Sequence, residues 1–598
     1  MTVRETKVKK KIFWFVIVLL MMQSLVIPSC NQEATEEDKL ATEDELKYGG
    51  MIKIPVGGDI DAFDESISFH PGAHTLKLTN EELLTGDWSK GPAGTNESDW
   101  TIRGLFRWEH KTGAIAESWE MPEVGTIVYH IRKGINWAVN PDSEASQLVN
   151  GRELTADDVL WTLNYYLGSE QAWLRNGCVT PPRLGDVSIT APDNWTIILK
   201  VSEDLFYNCG IDFSDFASII PKEVVNQYGD MTDWRNSVGT GPFMLTDVTP
   251  GSSLTLIRNP NYWGKDPCGL GKGNQLPYLD SVKYVIIPDA SSQQASIRTG
   301  NVDLMAGTTT IDWETAGILM DTAPDLLYKK YNPDTSPNCI HMRTDKPPYN
   351  DKNVRRALFM AIDFDLIKNE LFGGEALILT WPKTDIREYQ DAYLGLDDPE
   401  MPASVKELYN YNPEKARQLL VDAGYPDGFK ATIICPNNPT NVDYLSIIKD
   451  MWIKVGIDLN LDTLEAGAWV STVMGRAFEE MIQGFVAPIG SLYNCIDFNE
   501  PRFTNCSYVD DNHVKEVYPQ MQVYGMMDPP KADRMYKDLM KYVLDQAWVI
   551  PTPLAPLYHM WWPWVKNYHG EGSVGYDNTY NFVKFVWMDT ALKDSMGY

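Results

Sequence analysis

Apolar residues recur along this chain in two rhythms. Short apolar or alternating runs mark strands, and a spacing of three and four marks helices. "MIKIPV" (51–56), preceded by Gly49-Gly50 and followed by Gly57-Gly58, reads as a short buried strand running into a loop. Thr155 precedes Ala156-Asp157-Asp158, so its hydroxyl is placed to cap a helix while Asp158 faces the positive end of the helix dipole. That helix is expected over 156–167, with Val159, Leu160, Leu163, Tyr166 and Leu167 as its buried stripe. Trp161 and Tyr165 fall off the stripe. "SVGTGPFMLTDVTPGSSLTLIRNPNYWGK" (237–265) holds two strand-like runs around a turn. It closes on Asn259-Pro260-Asn261-Tyr262-Trp263-Gly264, a proline turn of fixed shape that reads as scaffold.

Further along, Ser291 is placed to cap a helix through Ile297, Gly300 to stop it, and Val302-Asp303-Leu304 to resume as a strand. Asn353 precedes a stripe of Val354, Ala357, Leu358, Ala361 and Ile362. Asn412-Pro413 opens a helix with stripe Ala416, Leu419, Leu420 and Ala423, closed by Gly424. A strand over 430–435, a helix over 441–455 and a strand over 457–464 follow. Strands alternating with helices predict a largely parallel or mixed sheet covered on both faces. The pattern occurs before about residue 315 and again after it, with no low-complexity linker between. At 598 residues the chain exceeds what one core sustains. Two α/β lobes are therefore expected, with the ligand site in the cleft between them.

The first residues follow a different logic. Arg4, Lys7, Lys9, Lys10 and Lys11 precede an apolar run from Ile12 to Met22, and the stretch reaches Ile27-Pro28-Ser29-Cys30. A basic flank, an apolar segment too short to span comfortably and small residues before a cleavage point describe an export signal. The ending resembles the lipobox of bacterial lipoproteins, which implies a mature chain beginning at an acylated Cys30. Residues 31–48 carry seven acids against two lysines and no aromatic before Tyr48, the composition of a solvated tether. Beyond Cys30 seven cysteines remain, an odd number, so at least one is unpaired or pairs outside the chain. In an exported protein Cys178 with Cys209 and Cys495 with Cys506 are candidate pairs, which spacing alone does not establish.

A formal net charge of −30 excludes a nucleic-acid partner, since phosphate binding requires clustered Lys and Arg. Hydrolase signatures are missing too. No Gly-x-Ser-x-Gly elbow and no His-Glu-x-x-His helix occurs among the eight scattered histidines. His70 and His74 flank Pro71-Gly72, which prevents a shared helical face, and no metal or cofactor site is read from the sequence. An exported hydrolase is the competing class, and the 82 acids place carboxylate pairs everywhere without identifying one.

Taken in order, "GGDIDAFDESIS" (57–68), "GAIAESWE" (113–120), "YHIRKGINW" (129–137), "LTADDVLWTLN" (154–164), "VGTGPFML" (238–245) and "RNPNYWG" (258–264) form one constellation. It continues through "LPYLDSVKYVIIPD" (276–289), "IRTGNVDL" (297–304), "NVRRALFMAID" (353–363), "YNPEKARQLLVDAGYPDGF" (411–429) and "WVIPTP" (548–553). The set resembles the extracytoplasmic solute-binding proteins of ABC importers, family 5, the dipeptide, oligopeptide and nickel type. The resemblance implies a two-lobed, periplasmic-binding-protein-like α/β fold with mixed sheets and three domains. Domain I would take residues 49–78, 215–315 and 550–598, domain II 79–214 and domain III 316–549, after a signal at 1–29 and a tether at 30–48. It further implies capture of a small solute, foremost an oligopeptide, by hinge closure, and delivery to permease subunits whose ATPase lies elsewhere. No Gly-x4-Gly-Lys-Ser/Thr loop occurs in this chain.

For the site, the resemblance aligns Trp161 and Trp469 with aromatics that line the ligand cleft. It sets Arg476 near a commonly basic position, Trp381 on a loop within reach of the cleft, and Ser68 and Phe69 after the first strand, where relatives touch the ligand backbone. Relatives hold the ligand's ammonium with a carboxylate in a stretch like Gly-Trp-x-Ala-Asp. Here the stretch is Gly484-Phe485-Val486-Ala487-Pro488, which keeps an aromatic at Phe485 and loses the acid at Pro488. A buried ammonium without an ionic partner is costly, so either another acid such as Asp497 replaces it or the ligand is not a free-amine peptide. Aromatic faces stack on sugar rings as well as on peptide side chains, which leaves an oligosaccharide as the alternative ligand.

Overall fold

A computed structural model describes residues 46–60, 63–66, 73–104, 107–175, 183–333, 338–486, 498 and 504–598. The export signal, Cys30, Ser68, Phe69, His70, Cys178, Pro488, Cys495 and Asp497 lie outside the described residues.

The first predicted strand is found at Met51–Val56, running parallel to Ser281–Ile286. The sheet continues antiparallel through Ser253–Arg258 to Phe243–Thr249, the expected strand pair around its turn. The proline turn that follows is fastened at depth. Tyr262 OH donates to Glu81 Oε1 at 3.0 Å, while Trp263 Nε1 at 2.8 Å and Thr240 Oγ1 at 3.0 Å donate to Oε2. Gly239 lies so close to the Thr79 carbonyl that a Cβ there would overlap it, which explains a glycine in "VGTGPF" without any positive φ.

A second, all-antiparallel sheet runs Ala116–Glu123, Thr126–Ile131, Thr196–Val201 and Val187–Asp193. A third is mixed and five-stranded, in the order Ile457–Leu464, Phe429–Pro436, Met481–Gly484, Cys339–Met342, Val549–Ile550. Phe429–Pro436 and Ile457–Leu464 are parallel and joined by the helix Pro439–Trp452, a crossover unit of the kind the alternating pattern predicts. A fourth, three-stranded sheet pairs Leu557–Trp561 with Leu304–Met305 and Leu327–Tyr331. Around the third sheet the stripe Val354, Ala357, Leu358, Ala361 and Ile362 is fully buried with Ala416, Leu420 and Trp452.

Local signals were displaced in a few places. The helix Ala290–Arg298 is capped by Asp289, which accepts from Ser292 N, and not by Ser291. The helix Lys352–Met360 is capped by Asp351, accepting from Asn353 N, and not by Asn353. In both cases a carboxylate one or two residues upstream reaches the free amides and adds favourable charge at the dipole. The strand expected over 302–304 is Leu304–Met305. Asp303 instead turns inward, accepting from Lys53 N at 2.7 Å, Trp564 Nε1 at 2.8 Å and Lys593 Nζ at 2.7 Å. No helix among the described residues is long and apolar enough to cross a membrane.

Candidate functional site

The helix that presents Trp161 is Ala156–Gly168, one residue longer than its pattern predicts. Its start is locked by a capping box in which Asp158 accepts from Thr155 N at 3.0 Å, and Arg152 holds the same carboxylate at 2.8 and 2.6 Å. Val159, Leu163 and Tyr166 bury one face, tied down where Thr162 Oγ1 donates to the Ile220 carbonyl and Tyr166 OH to the Ser218 carbonyl. Trp161 and Tyr165, four residues apart, are left half-buried on another face, stacked with centroids 5.0 Å apart and planes 13° from parallel.

Tyr165 joins this pair to the loop after the first strand. Its hydroxyl donates to Asp64 Oδ2 at 3.0 Å and accepts from Ser66 Oγ at 2.9 Å, and Ser66 N donates to Asp64 Oδ1 at 2.8 Å. Burial raises the Asp64 pKa against these hydrogen bonds, and burial pushes the Tyr165 phenol up to about 12. Glu65, between them in sequence, points the other way. It accepts from Ser218 N and Oγ at 3.0 and 2.8 Å and from Lys77 Nζ at 3.2 Å. Lys77 is also paired with Glu82 at 2.5 Å and is held strongly protonated despite its burial. The loop is thus pinned from beneath, leaving a stacked indole and phenol beside a hydroxyl and a carboxylate.

A second group forms around the helix Ala466–Gly475 and the strand Met481–Gly484. Trp469, 7% exposed, donates through Nε1 to the Gln483 carbonyl at 2.8 Å and meets the Phe485 ring edge-on at 4.9 Å. The side-chain amide of Gln483 is fully buried, and among the described residues neither its oxygen nor its nitrogen has a hydrogen-bond partner. Arg476 closes the helix in a left-handed conformation, φ 50°. It packs 3.8 Å from the Tyr508 ring centroid, with Arg343 at 3.7 Å from the same ring. Tyr508 OH in turn donates to the Arg476 carbonyl.

Trp381 is 1% exposed, edge-on to Phe498 at 5.6 Å, and its indole N–H has no partner among the described residues. Among the described residues no hydrogen bond or ring contact joins the Trp161 group to the Trp469 group. Nor are His/Cys/Asp/Glu residues gathered there as a metal site. Two partly open cavities lie elsewhere, one of about 490 Å³ lined by Asp142 and Trp234 and one of about 160 Å³ lined by Trp263.

Sequence reasoning missed Tyr165 as the stacking partner of Trp161, Asp64 and Ser66 as the partners of Tyr165, and Gln483. The i, i+4 spacing of Trp161 and Tyr165 was a usable signal. Gln483 carried none, because its isolation depends on what the folded chain places around it.

Comparison with known proteins bears on this arrangement. The model for bacterial extracellular solute-binding proteins, family 5 (middle region), matches residues 112–497. The chain is 26% identical over 500 residues to heme-binding protein A of Haemophilus influenzae, spanning 78% of this chain and 83% of that one. It is 25% identical over 399 residues to the dipeptide-binding protein of Escherichia coli, spanning 63% and 68%. The structure of the ABC transporter-associated periplasmic binding protein DppA from Helicobacter pylori, in complex with the peptide STSA, superposes with a TM-score of 0.64. That match covers 91% of this chain and 99% of the other, at 21% identity.

Proposed function

From the premise that this chain belongs to the bacterial extracellular solute-binding proteins of family 5, a family of two-lobed α/β proteins that bind solutes for ABC importers, we propose that it captures an oligopeptide. The peptide is enclosed as the lobes close and is handed to a membrane permease, with the protein held at the membrane by lipid on Cys30. Domain I is assigned to 49–78, 215–315 and 550–598, domain II to 79–214 and domain III to 316–549. Trp161, Trp469, Phe485 and Trp381 supply apolar contact, Arg476 a cation, and Ser68 and Phe69 backbone contacts.

The observation that carries the peptide reading is Gln483. A primary amide offers one acceptor and two donors, the complement of a ligand peptide group, and burying both unpaired costs about 1–3 kcal/mol per group. It immediately precedes Gly484-Phe485, the stretch aligned with the family's ligand motif. Asp64, on the loop next to Trp161, is a described carboxylate that suits a ligand ammonium in place of the acid absent at Pro488.

The test is mass spectrometry of what co-purifies with the full chain, released by denaturation. A ladder of short peptides is expected, intact after long incubation with the protein. A hexose ladder would select the oligosaccharide alternative that the stacked aromatics also suit. A porphyrin would align the protein with its Haemophilus relative, and hydrolysed peptide would revive the hydrolase class.

A further inference from the structure

Two motifs that ligand capture does not use, "YHIRKGINW" and "RNPNYWG", meet at the cavity of about 160 Å³. Its wall is unusual in a chain with a formal net charge of −30. Arg132, Lys265 and Lys584 line it against only Glu81 and Asp87. Glu81 is electrostatically coupled to Lys584, yet the lining still carries one more cation than it has acids. Both oxygens of Glu81 are occupied by Thr240, Tyr262 and Trp263, and Asp87 Oδ1 caps its own turn by accepting from Ser89 N and Oγ.

The donors, by contrast, are unspent. Arg132 uses only Nε, toward the Ala114 carbonyl at 3.1 Å, and lies 4.5 Å from the centroid of the Trp263 ring. Among the described residues its two terminal nitrogens have no acceptor and no carboxylate pairs with it. Lys584 likewise has no acceptor among the described residues, its ammonium standing 5.3 Å from the Phe585 centroid. Burial lowers its pKa, against the pull of Glu81, Glu82 and Asp215. Trp88, 1% exposed and stacked on Phe585 at 4.5 Å, contributes an indole N–H that is buried without a partner. A partly open pocket walled by the terminal nitrogens of a guanidinium, an ammonium and an indole N–H, none with an acceptor among the described residues, is complementary to an oxyanion.

We propose that this cavity is a second ligand site, distinct from the solute cleft, which binds one small oxyanion of the carboxylate or phosphate class between Arg132, Lys584 and Trp88. The fork of Arg132, braced on Trp263, supplies directed donors, Lys584 supplies charge from within, and exposed Lys265 adds attraction from the rim.

Isothermal titration of the full chain, exchanged into chloride buffer of constant ionic strength, tests this with inorganic phosphate and with sodium acetate as separate probes. One saturable site is expected for at least one probe, and which probe binds fixes the class. Arg132→Gln is expected to weaken it about tenfold and Lys265→Gln about threefold, in line with the loss of a directed and of a screened charge contact. Arg132 and Lys265 are half-exposed and exposed, so both variants should keep the wild-type circular dichroism spectrum, and Trp161→Ala should leave the site intact. Non-saturable heats with both probes, or equal affinity in R132Q and wild type, would overturn the proposal.

Discussion

Replacing Glu388 by alanine should weaken ligand retention by about two orders of magnitude without touching any residue proposed to face the ligand. Glu388 is 5% exposed, and its Oε1 accepts from Ser98 Oγ at 2.6 Å, Asp99 N at 2.8 Å and Trp100 N at 3.3 Å. Beside it, Arg107 donates through Nε to the Glu388 carbonyl at 2.9 Å and through Nη1 to Asp533 at 2.8 Å. Under the proposed boundaries Ser98 to Arg107 belong to domain II, whereas Glu388 and Asp533 belong to domain III. Under the proposed closure this network joins the two lobes, so the prediction is that it forms when they close and breaks when they part. Removing the carboxylate leaves the Ser98 hydroxyl and the Asp99 and Trp100 amides without their acceptor, which costs about 1–3 kcal/mol where they stay buried. With all three donors abandoned, the upper end, about 3 kcal/mol, is the working figure, and at about 1.4 kcal/mol per tenfold it shifts closure roughly a hundredfold. Native mass spectrometry would read the fraction of E388A molecules that keep their co-purified ligand, and calorimetry with that recovered ligand would give the affinity. Glu388→Gln, which keeps one acceptor, should fall between the two. Wild-type affinity in E388A together with a lowered melting temperature would refute the reasoning, since it would make the network a permanent joint.

Four further outcomes are expected. Trp161→Ala should weaken ligand binding about tenfold in calorimetry, the loss of one stacking surface, yet move the melting temperature of unliganded protein by no more than about 2 °C because the ring is half-exposed. Gln483→Leu, removing two unpaired buried polar atoms at similar volume, should raise the unliganded melting temperature and weaken ligand binding at once; a fall in both would mean the amide is structural. Gly239→Ala should destabilise by about 1–3 kcal/mol, seen as an earlier thermal transition, because its Cβ overlaps the Thr79 carbonyl and backbone must shift. Burial lowers the His341 pKa from 6.5 to about 3, so the neutral ring's contribution is fully present above pH 6.5 and is lost as pH falls toward 3. In His341→Gln the melting temperature should fall less steeply between about pH 6 and pH 4 than in wild type, by up to one proton of linkage, and identical slopes would exclude this.

Where the chain's interactions are local, the sequence was a good guide. The strands Met51–Val56 and Ile457–Leu464 and the helix after Thr155 lie where alternation and capping place them, since each is decided within a few residues. The caps at Asp289 and Asp351 slipped because several polar residues stood within reach and the amides chose among them by geometry. Sheet order was not readable. Val549–Ile550 pairs with Cys339–Met342 across some two hundred residues, and no local pattern names that partner. The site divides the same way. The spacing of Trp161 and Tyr165 was visible, but the Asp64–Tyr165 contact spans 101 positions and follows only from the fold.

Tryptophan shows most clearly why residue type falls short of function. The chain has 20, and Trp161 and Trp469 were singled out by the family resemblance and Trp381 by its loop. In the folded protein they have different environments. Trp161 is half-exposed on a phenol whose hydroxyl is already engaged, Trp469 is anchored by its N–H to the strand that carries Gln483, and Trp381 is enclosed with its N–H unpaired. An indole anchored through its nitrogen is fixed in orientation and offers only ring surface, whereas an unpaired one still has a donor to give. The polar handle, set by distant parts of the chain, therefore separates a stacking surface from a directional contact. Trp88 shares an unpaired N–H with buried Trp100, Trp137 and Trp561, and it is its place in the lining of the cationic cavity that gives that donor a use.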